Sequence, residues 1–299
     1  MLVRSDGLLV GQPAHAWVSG QLARAWGNGA FPPPAPREPF CLAAEQHDVG
    51  WSDADLAPLA GPDGRPLSFM EQPRAAHVAI WRGAARRLLA QSRYAALLVS
   101  LHGTSLYARV DPDTEPPAVA AAIRDYVAGE RALQARLAAG LDPAEVDTNR
   151  RLLLALDRLS LMLCHERATT IADVPSADGP ATLRLEPAAS AAAAGSPGAA
   201  GSTGAAGSTG AAGSTGPAGS GARPASFTAR DDRAVAPATA TARFTLDPWP
   251  FAADAVTVRC DGRRLAGPYE DEEAMRAALA AAPWDTVTVR LTAPPPGSA

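Results

Sequence analysis

The chain contains no lysine: all 27 basic residues among its 299 are arginine. That absence excludes a Schiff-base lysine and the lysine of a phosphate-binding loop. Cysteine is nearly as scarce. Cys41, Cys164 and Cys260 lie far apart with no C-x-x-C pair, which argues against a disulfide framework or a thiolate zinc site and points to a reducing, cytoplasmic setting. Aromatic residues are only 5% of the chain, and no adenine-stacking motif or dinucleotide loop stands out. No uncharged apolar stretch reaches the roughly 18 residues of a membrane span, and the amino-terminal apolar run is too short for a signal-peptide core. Neither membrane insertion nor export is expected. With 27 basic residues against 31 acidic ones, the net charge of -4 leaves no electrostatic footprint for nucleic acid or an anionic membrane. A small molecule is the expected partner.

What remains is a globular composition, 47% hydrophobic, whose pattern changes three times along the chain. Residues 1–13 read as a hairpin turning at Asp6-Gly7. Residues 14–173 carry helical periodicity, clearest from Pro143 to Cys164, where Asp142 is placed to cap and Glu145 to complete a capping box. Residues 174–222 read as a disordered insertion rich in Ala, Gly, Ser, Thr and Pro, with three consecutive AAGSTG copies from Ala199 to Gly216. Residues 223–299 alternate as short strands do, with a helix over Asp271–Ala282, and are too few to be stable alone. They are expected to dock on the helical body, with the amino-terminal hairpin joining their sheet. The fold class predicted is mainly α, a helical bundle with a small antiparallel β-sheet.

Six residues of metal-ligating type run through the helical part in order: His15, the adjacent His47 and Asp48, then His77, His102 and Asp157. Imidazole and carboxylate suit iron, manganese, zinc or cobalt. Asp157 shares a helical face with Leu153, Leu154 and Leu161, and a carboxylate there costs several kcal/mol unless a cation meets it. A salt bridge to a distant arginine would serve as well for Asp157 alone. Burying four imidazoles and two carboxylates together is what packing does not explain and a metal does.

In this order and in the wording Glu45-Gln46-His47-Asp48-Val49-Gly50-Trp51, the chain resembles the HD-domain superfamily of metal-dependent phosphohydrolases. The resemblance implies an HD-like bundle in which His15, His47, Asp48 and Asp157 hold one ion, His77 and His102 a second, and Asp48 bridges the two. It implies divalent or mixed-valence Fe, Mn, Zn or Co. The segments around His47, His77, His102 and Asp157, with Asp247–Phe251, look closer still like an uncharacterised bacterial family, domain of unknown function 3891. Trp51 stands where many of the hydrolases have a basic residue.

Hydrolysis of a phosphate ester or a nucleotide is the leading expectation, because two metals can deprotonate water and stabilise a leaving oxygen. Arg65, Arg82 and Arg150 are the candidate anion binders and Glu45 a candidate proton acceptor beside Asp48. Oxygen activation by a di-iron pair and a non-catalytic binding role are the alternatives, which ligand order does not separate.

Overall fold

The computed structural model describes residues 1–188, 241–265, 267–295 and 297. From residue 189 onward the expected insertion lies outside the described residues. Strands β1 (Leu2–Val3) and β2 (Leu8–Val10) form an antiparallel hairpin that leads through Gly11 into α1 (Gln12–Ala25). Next come α2 (Arg37–Gln46), a 3₁₀ turn (Val49–Trp51) running into the short α3 (Ser52–Leu56), α4 (Arg74–Arg87), α5 (Arg93–Tyr107), α6 (Pro117–Leu137) and α7 (Pro143–His165). The start of α7 has a clear local cause. Pro143 occupies the first turn and the Asp142 carboxylate accepts from the Ala144 N–H at 2.9 Å.

The remaining chain builds β3 (Thr169–Val174), β4 (Ala181–Pro187), β5 (Ala242–Asp247), β6 (Ala255–Arg264), α8 (Glu272–Ala281) and β7 (Trp284–Thr292). Among the described residues, all seven strands share one sheet in the order β1-β2-β6-β7-β5-β4-β3. Every neighbouring pair is antiparallel except β5 and β7, which run parallel.

This sheet overturns the expectation of a mainly α, HD-like bundle with a small antiparallel sheet. Of the described residues about 49% are helix and 20% strand, and the sheet is large, curled and mixed. The difference comes mostly from β3 and β4, in residues assigned by composition to the helical body and the insertion. Thr182-Leu183-Arg184-Leu185-Glu186 alternates strictly, with Leu183 and Leu185 buried and their neighbours exposed. An insertion read from its alanine and proline content hid that period of two.

One hydrophobic core joins helices and sheet, including Leu22 of α1, Phe40 of α2, Leu98 of α5, Leu153 and Leu156 of α7, Leu246 of β5 and Leu291 of β7. Each fully buried leucine contributes roughly 1.5–3 kcal/mol. Helix α1 packs on α2, α7 and β6, while α7 packs also on α5 and β3. The helices bearing the two ends of the ligand series are thus fixed against each other and against the sheet.

Candidate metal centre

The site is built where α1, the end of α2, α5 and α7 converge. His15 lies on the inward face of α1 and is fully buried. Its Nδ1 sits 3.0 Å from Ser160 Oγ and its Nε2 2.7 Å from Asp48 Oδ2. Ser160 already spends its hydroxyl hydrogen on the Asp157 carbonyl at 2.9 Å and accepts from Ser19. It therefore accepts the His15 Nδ1–H, which leaves Nε2 with a lone pair facing a carboxylate oxygen. In that tautomer the contact calls for a cation between or on the two groups, a proton or a metal ion, whereas the other tautomer donates Nε2–H directly to Asp48.

Adjacent helical residues diverge, so His47 and Asp48 reach one place only because α2 ends between them. His47 keeps helical angles, while Asp48 leaves them at φ -103° and ψ 19° to enter the 3₁₀ turn. Gly50 lets α4 close on that turn. A Cβ there would lie 2.6 Å from the Ile80 carbonyl oxygen, so no larger residue lets α4 approach the turn this closely.

His47 donates its Nδ1–H to the Ala44 carbonyl at 2.9 Å. Its buried Nε2 has no hydrogen bond, although Asp157 Oδ1 lies at 3.3 Å and Asp48 Oδ2 at 3.8 Å. A ring fixed through Nδ1, with Nε2 aimed between carboxylates, is how proteins orient a metal-binding imidazole. With no ion bound, burial alone would lower the His47 pKa. The charges of Asp48 and Asp157 and the bond to Ala44 outweigh burial and raise it to about 9. The pocket calls for positive charge.

His102, also buried, places Nε2 3.7 Å from Asp157 Oδ2, and its Nδ1 has no partner. Burial drives its pKa down to about 4 against the pull of Asp157, so the ring is neutral with a lone pair free. Asp157 stays ionised. Burial raises its pKa, but His47, His102 and His15 hold it well below the usual carboxylate range. Asp48 is likewise lowered, with His47 and His15 opposing burial.

Two ligand groups emerge, His15 with His47 and Asp48, and His47 with His102 and Asp157, each with its ligand atoms within 4.8 Å of one another. Five of the six series members therefore meet around His47, which belongs to both groups. His77 is in neither. Its Nε2 accepts from the Trp81 indole at 3.4 Å, which puts its proton on Nδ1, 2.6 Å from the Tyr107 hydroxyl. Burial first, then Arg74, lowers its pKa to about 4.

The cluster opens into a cavity of about 530 Å³ lined by His15, Asp48, His102 and Asp157 together with His77, Trp51, Phe69 and Leu106. The anion binders expected from the sequence are elsewhere. Arg65 faces Asp63, Arg82 reaches the Ala122 carbonyl and Arg150 pairs with Asp147. Glu45 is tied to Arg24 and does not line the cavity. Instead Arg74, one turn before His77 on α4, is at the wall with Gln12, one turn before His15 on α1. Helical spacing from the two histidines was the signal that could have found both.

A family model described as "Protein of unknown function (DUF3891)" matches residues 1–267 of the chain. No curated protein and no solved structure matches it.

Proposed function

The chain belongs to the DUF3891 family, whose function is unknown, and from the site itself we propose that it is a metal-dependent hydrolase of a phosphate ester or nucleotide. The observation that carries this reading is the buried, unbonded His47 Nε2, set 3.3 Å from one ionised carboxylate and 3.8 Å from another while its ring is held through Nδ1. An unpaired buried polar atom costs about 1–3 kcal/mol, and an ion between His47 and the two carboxylates would satisfy it. His15, His47, Asp48 and Asp157 would hold the ion, with His102 against it. A transition metal with this oxygen and nitrogen set supplies Lewis acidity and water made nucleophilic near neutral pH. The ligand order is like that of the HD-type phosphohydrolases, which supports the reaction class and says nothing of the fold.

The protein's own groups do the rest. Ser160 and Ala44 fix the His15 and His47 rings, and the apolar wall of Trp51, Trp81 and Leu161 limits water. Arg74, held by Glu115 at 3.1 Å, is a positive charge in the cavity wall available to an anionic substrate. The reading commits to one ion, because a second would need His77 Nε2 to give up the Trp81 indole.

Metal analysis of the purified protein, with assay of inorganic phosphate release from simple phosphomonoesters, tests the proposal. One equivalent of transition metal is expected in the parent, falling at least tenfold in His47→Ala and Asp48→Ala. Unchanged metal in those variants overturns the centre. Dioxygen uptake with no phosphate release overturns the reaction.

A further inference from the structure

Resting on that reading, we infer that Gln12 is the specificity-determining residue of the cavity and reads a hydroxyl on the uncharged body of a substrate that carries a single phosphate. Gln12 is 1% exposed, yet it lines the cavity, and its side-chain Oε1 has no hydrogen-bond partner. Its backbone N–H donates to the Asp55 carboxylate. The first turn of α1 fixes its position, with His15 one turn later on the same face. A primary amide buried beside the ligand cluster has an acceptor, Oε1, with capacity to spare, and a ligand hydroxyl reaching it could donate to that oxygen and accept from the amide nitrogen.

The charges around it limit the reactant's anionic part. Among the described residues lining the cavity, Arg74 is the one guanidinium, and Glu115 already pairs with it. Asp48, Asp157 and Glu115 face the same space. Beyond what the ion neutralises, nothing there balances the successive charges of a di- or triphosphate. Phe69, Leu106 and Leu161 add apolar surface to the lining, which suits the carbon skeleton of an alcohol. The substrate class is a hydroxyl-bearing phosphomonoester.

Binding of the metal-loaded full chain to hydroxypropyl phosphonate and to propyl phosphonate, measured by calorimetry, separates recognition from turnover, since neither is hydrolysed. The hydroxyl should tighten binding about tenfold or more in the parent, the worth of one well-made hydrogen bond. Gln12→Leu should bring the two ligands to near equality while metal content, measured on the same sample, stays at the parent's level. Gln12→Asn should fall between. Tripolyphosphate should bind no tighter than inorganic phosphate. Equal binding of the two phosphonates by the parent overturns the inference. So does a preference that survives in Gln12→Leu, which would make the amide's partner an internal water only, and so does tighter binding of tripolyphosphate. A parent that takes up no metal overturns the centre as well, whereas a loaded parent that ignores the hydroxyl leaves the centre standing.

Discussion

Ser160 touches no cavity wall, yet it sets the direction of His15 by accepting its Nδ1–H while its own hydrogen goes to the Asp157 carbonyl. Ser160→Ala should therefore lower metal affinity by about 10- to 100-fold with little change in global stability, as judged by competition with a chelator. The pH dependence of the chelated protein follows from the same small group of residues. His47, raised to about 9, contributes stability that is full below the ordinary histidine value and is lost as pH climbs to 9. His102 and His77, both lowered to about 4, act oppositely, since the unfolded chain binds protons that the folded one refuses as pH falls from the ordinary value toward 4. The thermal midpoint of chelated protein should peak near pH 6–7. Added metal should abolish the alkaline decline by replacing the His47 proton. A flat profile with chelator would count against the coupling of His47 to its carboxylates.

The five residues that cluster were visible in the sequence because few polar types recur on apolar helical faces. The arginines were not, because nearness along the chain is a poor guide to a shared face. Arg82 is five positions after His77, roughly 140° round the helix, whereas Arg74 is three before it.

At the scale of elements, the close approach of α4 and α5 to the site depends on two glycines. A Cβ on Gly103 would lie 2.3 Å from the Tyr126 hydroxyl and 2.8 Å from the Trp81 ring, so α5 passes through His102 and continues to Tyr107 against both aromatics. Gly103→Ala should cost about 1–3 kcal/mol in denaturant titration, the range for overpacking a filled core. Gly50→Ala should cost a similar amount and also weaken metal binding, because the obstructing atom is a backbone carbonyl that cannot rotate away. Long helices such as α7 announce themselves by period and cap. Helix α5 is harder, because Gly103 reads as a stop where the structure uses it for proximity. The hairpin of β3 and β4 was hidden for a different reason: six- and seven-residue strands carry too few positions for a period of two to outweigh local composition.

For the whole molecule, the sheet determines how the helices meet. Leu246 in β5 and Leu185 in β4 are fully buried in the core that also takes in α7. Leu246→Ala should lower stability by about 2–5 kcal/mol, measured by urea unfolding, far from any ligand. The parallel pairing of β5 with β7 escapes any reading of single strands, since register and direction follow from distant chain segments meeting. The same holds for β2, whose neighbours in the sheet are β1 and β6. His15 hangs from β2 through α1, so the first residue of the series is supported by strand residues 255–264, which are translated after every other member of it. On the ribosome, the series is written in order from 15 to 157 before the strand that braces its first member has emerged, so metal capture is expected to tighten once that strand is in place.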